Sequence, residues 1–87
     1  MVGLSATVAV YPSMKAAKFL AALAREPLGY KVTRQSGSHR TLEAPDRPVL
    51  HWSYHDKATV PPGVIRKYLE TQIGLSESEA LALLNMR

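Results

Sequence analysis

The sequence predicts an α+β domain with the element order α-β-β-β-α, a three-stranded antiparallel sheet with the helices on one face, and a short C-terminal helix. Three observations lead to this prediction: apolar residues at helical spacing before Pro27, three alternating segments separated by turn signals, and a second helical spacing after Pro62. A chain of 87 residues is expected to form one domain. We assign that domain to 13–87 and interpret 1–12 as a lead-in that is irregular or weakly β.

The first helix is expected from Met14 to about Arg25, with Ser13 as its N-cap. Its apolar stripe follows the i, i+3, i+4, i+7 spacing and consists of Ala16, Phe19, Leu20 and Leu23. Pro27 cannot continue a helix and Gly29 favours a turn, so the helix is expected to end before them.

Three strands are expected next, at Tyr30–Gln35, Ser38–Ala44 and Val49–Tyr54. Ser36-Gly37 is a hairpin signal between the first two strands, and the run Pro45-Asp46-Arg47-Pro48 is a tight turn before the third. In the first strand, Tyr30 and Val32 are expected on one face. Because the connections are short, the three strands are expected to form an antiparallel meander.

Alternation along the second and third strands divides their residues between two faces. Leu42 is expected on the buried face, whereas the opposite face is expected to carry His39, Thr41 and Glu43. In the third strand, Leu50, Trp52 and Tyr54 alternate with Val49, His51 and Ser53. Because both main helices are expected on one face, the other face, with His39, is left open to solvent or a ligand.

A second helix is expected to open within Thr59–Gly63, where Pro61 or Pro62 fits the first turn because its missing N–H would be unpaired there anyway. Its apolar stripe consists of Ile65, Tyr68, Leu69 and Ile73. Gly74 is typical of the left-handed residue that ends a helix, and Ser76-Glu77-Ser78-Glu79 matches the capping box of a short last helix.

Charge and composition limit the classes of function. The formal net charge is +4, and residues 13–67 hold ten Lys and Arg against four Asp and Glu, a local charge of +6. A basic middle favours a polyanionic partner, with a solvated basic surface as the equal alternative. The chain has no cysteine, which excludes disulfides and thiolate metal sites. Residues 1–10 lack the basic leading region of an export signal, and no stretch approaches the roughly 20 apolar residues of a membrane span, so a cytoplasmic protein without a membrane partner is expected.

The run from Gly29 to His39 reads Gly-Tyr-Lys-Val-Thr-Arg-Gln-Ser-Gly-Ser-His. It resembles the hallmark of the HicA-type mRNA interferase toxins, in which a glycine and an aromatic residue follow the first helix and a strand then ends R-Q-x-G-S-H. Segments that resemble the family in order and spacing follow downstream: His55, Pro62-Gly63, Ile65-Arg66-Lys67-Tyr68-Leu69 and Gly74-Leu75-Ser76. Leu42 departs from the family, which usually has an aromatic residue three positions after the histidine.

The resemblance implies a dsRBD-like fold, cleavage of mRNA without a metal or other cofactor, and neutralisation by a HicB-type antitoxin protein. The family's catalytic histidine lies in its G-S-H run, which places that role on His39. Histidine exchanges protons near neutral pH, which suits removal of a ribose 2′-hydroxyl proton so that the oxygen attacks the adjacent phosphate. The residues expected to contact the RNA are Lys31, Arg34, Gly37, Ser38, Arg40, His55 and Lys57.

Other interpretations stay open at this point. By itself, His39 is also compatible with an ordinary exposed strand histidine, and the chain with a non-catalytic RNA-binding module or a basic domain that docks an acidic protein. His51 and His55 are expected to share a strand face, but a zinc site there lacks a third ligand, and His51 is expected to be a structural or surface residue. Trp52 and Tyr54 are expected in the core rather than stacked on bases. No glycine-rich phosphate loop is present, so no nucleotide cofactor is expected.

Overall fold

The N-terminal end of the first helix differs from the sequence-based prediction. The computed structural model describes residues 11–85, so the lead-in expected over 1–12 lies almost entirely outside the described residues. Met14–Lys15 form a short strand, β1, and helix α1 spans Ala16–Ala24. The prediction of Ser13 as N-cap is therefore wrong, because Lys15 takes that position with an extended backbone and no side-chain cap.

Strand pairing replaces the missing cap. Strand β1 pairs antiparallel with a second two-residue strand, Thr59–Val60, which belongs to the segment where the second helix was expected to open. The pairing brings the preceding loop against the start of α1. The backbone N–H groups of Ala16 and Ala17 donate to the carbonyls of Ala58 and Asp56, at 2.8 and 3.1 Å. A helix N-terminus leaves its first backbone N–H groups unpaired. Here, backbone carbonyls accept from two of them, and no serine side chain is needed.

The main sheet has the predicted meander topology, with the strand order β2-β3-β4 and antiparallel pairing throughout. Its strands are β2 at Lys31–Ser36, β3 at His39–Glu43 and β4 at Leu50–Trp52, so the third strand is shorter than predicted. The two-residue strand Thr59–Val60 that pairs with β1 is β5. Ser36 and His39 are paired across a two-residue turn, in which Gly37 adopts a φ of +62°.

Strand β2 lies at the edge of the sheet, and all six of its residues are exposed. Tyr30, just before the strand, is buried, and its hydroxyl donates to the carbonyl of Pro48 at 2.7 Å. Val32 is 44% exposed, although it pairs with the buried Leu42 and lines one depression together with Tyr30 and Leu42. The pairing shifts between Val32 and Arg34, and such an irregularity re-aims side chains at sheet edges.

The C-terminal half is helical. Helix α2 spans Pro62–Arg66 and continues as a π-helical segment at Lys67–Gln72, and the two together are the second helix. Helix α3 spans Glu77–Leu84. Gly74 ends the second helix with a φ of +92°, as predicted. The Ser76 side chain accepts from the Glu79 N–H, and the Glu79 carboxylate accepts from the Ser76 N–H, which confirms the capping box. No helix within residues 11–85 has both the length and the apolar character that a membrane crossing requires.

The core lies between the helices and one face of the main sheet. Trp52 of β4 is 1% exposed and packs against Phe19 of α1 and Tyr68 of the second helix, with ring centroids 5.8 and 5.6 Å away. Leu42 of β3 and Leu50 of β4 are buried beside it, as the alternation predicts. The two main helices therefore cover the same face of the sheet, which makes the domain the predicted dsRBD-like α+β fold.

Candidate active site

The face of the main sheet that the helices do not cover carries a shallow depression around His39. Strand pairing places Ser36 opposite His39, Arg34 opposite Thr41, and Thr41 opposite His51. Directly opposed side chains in an antiparallel sheet share a face, so all five lie on the same side. They line a depression of about 260 Å³. The pairing thus gathers one arginine, two hydroxyls and two imidazoles from three strands.

His39 is the first residue of β3, and its position follows from alternation along that strand. Leu42 is 1% exposed and points to the helices, whereas the His39 side chain is exposed. Because successive residues of a strand face opposite sides, a shift of one residue would exchange them. Burial of Leu42 between the sheet and the helices therefore fixes the imidazole on the solvent side.

The turn before His39 depends on Gly37. Its φ of +62° lies in the left-handed region, which L residues with a side chain rarely adopt. A Cβ at this position would meet nothing within 4 Å, so the backbone conformation and not the available space requires glycine. This tight turn sets the register in which Ser36 and His39 face each other.

A second depression, of about 450 Å³, lies at the tip of the same hairpin. It is lined by Gln35, Gly37, Ser38, Arg40, His55, Asp56 and Lys57. Five of the seven residues expected to contact RNA are in this list. Arg40 also lines the depression around His39, so the two depressions adjoin at that side chain.

Arg40 is held by an ion pair that the sequence did not indicate. Its guanidinium donates to the Asp56 carboxylate at 3.0 Å, and the two side chains are 15% and 58% exposed. Arg40 follows His39 in β3 and therefore faces the opposite side of the strand. Arg34, in contrast, forms no ion pair with any residue of the described range 11–85, and it lines the His39 depression. Arg34 is thus the cation whose charge is available beside His39.

Lys31 lies at the other end of the hairpin. It pairs with Glu43, four residues along β3 from His39, which corresponds to about 13 Å at the usual rise per strand residue. The depression that it lines there, about 770 Å³, also includes Glu26, Glu43 and Asp46. Lys31 is therefore on the same hairpin as Arg34, but it lies outside the depression around His39 because the strand length separates the two residues.

The two histidines expected to share a strand face are in different places. Strand β4 ends at Trp52, so His55 lies in the following loop and lines the second depression, whereas His51 lines the first. Alternation around the buried Trp52 indicates that His51 faces the uncovered side of the sheet. Only the pairing of His51 with Thr41 shows that it lies near His39. Within residues 11–85, no three His, Asp or Glu side chains form a group that could hold a metal ion.

A hydrogen bond from the core holds β4 at this point. The Tyr68 hydroxyl donates to the backbone carbonyl of His51. Burial raises the pKa of Tyr68 above its ordinary value, with a further contribution from Tyr54, so the hydroxyl stays protonated as a donor. The backbone at His51 is thus anchored to the second helix while its imidazole remains exposed.

Comparison with known proteins gave a family. No curated protein and no solved structure matched the chain. The family model described as HicA toxin of bacterial toxin-antitoxin matches residues 16–75, from the start of α1 to just beyond the second helix. The match covers the sheet, the hairpin turn and both depressions. The chain therefore belongs to the HicA family of bacterial toxin–antitoxin systems.

Proposed function

We propose that this chain is the toxin of a type II toxin–antitoxin system, an endoribonuclease that cleaves mRNA through His39 without a metal ion. The observation that carries the proposal is the position of His39: an exposed imidazole on the uncovered face of the sheet, in a depression that also contains Arg34. Family membership supports the toxin assignment, and the basic middle of the chain supports a polyanionic substrate.

RNA carries its own nucleophile, so the protein needs to move protons and stabilise charge. In the proposed reaction the His39 imidazole either takes the proton of a ribose 2′-hydroxyl or gives a proton to the leaving 5′-oxygen. General acid–base catalysis of this kind contributes about 10²–10⁴-fold in rate. The Arg34 guanidinium, beside the imidazole, stabilises the charge that grows on the phosphate oxygens.

The depression at the hairpin tip supplies the proposed RNA contacts next to the cleaved phosphate. Gly37 has no side chain, so the RNA can approach the backbone of the turn closely. Ser38 offers the RNA a hydroxyl and an N–H. His55 and Lys57 line the same depression and add further donors. Arg40, balanced by Asp56, contacts both depressions, while Lys31 meets the RNA farther along the hairpin.

The second proposed partner is a HicB-type antitoxin protein that covers this basic surface and keeps the toxin inactive. Toxin–antitoxin family membership supports a protein partner of this kind. A partner with acidic residues at the contact fits the local charge of +6 over residues 13–67. We propose that the chain acts in the cytoplasm, where it would meet both the antitoxin and the mRNA substrate.

Incubation of an end-labelled RNA with the purified protein in excess EDTA tests the proposal. The wild type is expected to cleave, and His39→Ala to be slower by about 10²-fold or more. Val49→Ala is a matched control, because Val49 is 48% exposed, precedes β4 and lines neither depression. It is expected to cleave at the wild-type rate.

Two outcomes would overturn the proposal in different ways. Equal cleavage by His39→Ala and the wild type would remove His39 from the reaction. Binding of RNA by the wild type without cleavage, in the presence or absence of metal ions, would instead support a non-catalytic RNA-binding module of the same fold.

A further inference from the structure

We propose that His51 is a second catalytic residue and that it forms a proton-transfer pair with His39. This inference rests on the proposed function as an RNA-cleaving enzyme. The two imidazoles come from adjacent strands, β3 and β4, and line the same depression on the uncovered face. The sequence resemblance and the family match single out neither His51 nor this pairing.

The register of the sheet determines how far apart the two residues are. His51 lies directly opposite Thr41, and His39 is two positions before Thr41 on the same strand. His39 and His51 are thus diagonal neighbours on one face, a relation that places their backbone positions about 7–8 Å apart. Both side chains are exposed, so their rings are free to turn toward a group that lies between them.

This separation suits an in-line displacement at phosphorus. The attacking 2′-oxygen and the leaving 5′-oxygen lie on opposite sides of the phosphorus atom, so one fixed imidazole cannot reach both. Two imidazoles on either side of a phosphate can serve one oxygen each. Arg34, which pairs with Thr41 from the other neighbouring strand, reaches the same depression and can neutralise the phosphate.

The proposed step balances without any other reactant. The 2′-hydroxyl proton moves to the neutral imidazole as the bond from the 2′-oxygen to phosphorus forms. The bond from phosphorus to the 5′-oxygen breaks, and that oxygen takes a proton from the other, protonated imidazole. The products are a 2′,3′-cyclic phosphate and a 5′-hydroxyl. No water, metal ion or redox partner takes part.

His55 is the competing candidate for this role, and the geometry disfavours it. It lies in the loop after β4 and lines the hairpin-tip depression with Asp56 and Lys57. It does not line the depression that contains His39 and Arg34. His51 is thus the imidazole that shares a depression with His39.

The dependence of kcat/KM on pH gives the first test. The wild type is expected to show a bell-shaped profile with one limb for the group that must be neutral and one for the group that must be protonated. His51→Ala is expected to lose one limb and to lower kcat by about 10²-fold or more. His39→Ala is expected to lose the other limb. A His51→Ala enzyme with both limbs intact, or with a change in KM alone, would overturn the proposal.

A modified substrate gives the second test. When sulfur replaces the bridging 5′-oxygen, the leaving group departs without a proton, so the catalytic acid is no longer needed. This RNA is expected to restore the rate of one of the two histidine variants and not of the other. Restoration of both variants, or of neither, would contradict a division of roles between His39 and His51.

These outcomes separate this inference from the proposed function. If the wild type does not cleave RNA, the proposed function itself fails. If the wild type cleaves, His39→Ala does not, and His51→Ala equals the wild type, only the inference about His51 fails. A thermal melt of each variant beside Val49→Ala checks that the loss is not a folding defect, since the His51 side chain is exposed.

Discussion

The two faces of the β2-β3-β4 sheet are built from the same three strands but have opposite contents. The covered face carries Leu42, Leu50 and Trp52, all buried against the helices. On the uncovered face, in the same strands, lie exposed His39 and His51. Residues 51 and 52 are neighbours in the chain, yet one imidazole faces solvent while the next side chain is 1% exposed.

The comparison teaches how a small domain separates stability from chemistry. A chain of this length buries a modest fraction of its surface, so it cannot lose much of its core without unfolding. Alternation along a strand places the stabilising side chains and the proposed catalytic side chains on opposite sides of the sheet. Substitutions on the covered face should therefore change stability first, and substitutions on the uncovered face should change RNA cleavage alone.

The largest expected effect is on the covered face. Trp52→Ala removes the ring that contacts Phe19 and Tyr68 and should lower the free energy of unfolding by about 3–5 kcal/mol. The matched variant, His51→Ala, should stay within about 0.5 kcal/mol of the wild type, because its side chain is exposed. Urea unfolding followed by circular dichroism measures both. Similar losses of unfolding free energy in the two variants would contradict the proposed difference between the two faces.

The second effect compares two exposed cations on β2. Arg34→Gln should lower the rate of RNA cleavage about tenfold or more, because the proposed hydrogen bond from the guanidinium to the RNA phosphate beside His39 is lost. Lys31→Gln, at the far end of the hairpin, should lower it by less than about threefold, with an effect that disappears at higher salt. Cleavage rates at two salt concentrations check this. Equal effects would mean that the RNA does not place its reacting phosphate near Arg34.

The third prediction concerns the hydrogen bond from Tyr68, on the covered side of the sheet, to the backbone of His51. Tyr68→Phe removes the hydroxyl that donates to the carbonyl of His51 and should cost about 1 kcal/mol of stability. If that bond also positions the imidazole, kcat should fall while KM stays constant. Unfolding curves and steady-state kinetics on the same preparation separate the two effects. An unchanged free energy of unfolding would contradict a contribution of this bond to the core.

The smallest effect concerns pH and the last helix. The Ser76 backbone N–H, and next its side chain, hold the pKa of the Glu79 carboxyl below its usual range. Because the folded-state pKa is depressed, the stabilisation is present above the usual glutamate range and is lost as the pH falls through the lowered value. Glu79→Gln should therefore lose less stability on acidification than the wild type, with no change in RNA cleavage at neutral pH. Parallel stability curves for the two proteins would contradict this.

The sequence predicted the fold well where periodicity and turn chemistry agree. The second helix, the capping box at Ser76 and the burial of Leu42 and Trp52 follow from local signals. The pairing of β1 with β5 could not be predicted, because it joins two dipeptides far apart in the chain that have no alternation of their own. Long-range pairing also decided where α1 begins.

The candidate site shows the same limit. The R-Q-x-G-S-H run pointed to His39 and to the turn at Gly37, because both lie in one continuous segment. The ion pair between Arg40 and Asp56 and the approach of His51 to His39 depend on contacts between separate segments. Lys31 and Arg34 lie on the same hairpin, as expected from the sequence, but only Arg34 lines the depression around His39. Register, which no local pattern fixes, decided each of these points.

The chemical identity of the new RNA ends tests the central claim most directly. If an imidazole on the uncovered face activates the 2′-hydroxyl of the RNA, every cut must leave a 2′,3′-cyclic phosphate and a 5′-hydroxyl. A substrate with a single 2′-deoxynucleotide at a cleaved position must then resist cleavage there alone. Mass spectrometry of the fragments measures both. Fragments with a 3′-hydroxyl and a 5′-phosphate would mean that water is the nucleophile, and the account given for His39 would be wrong.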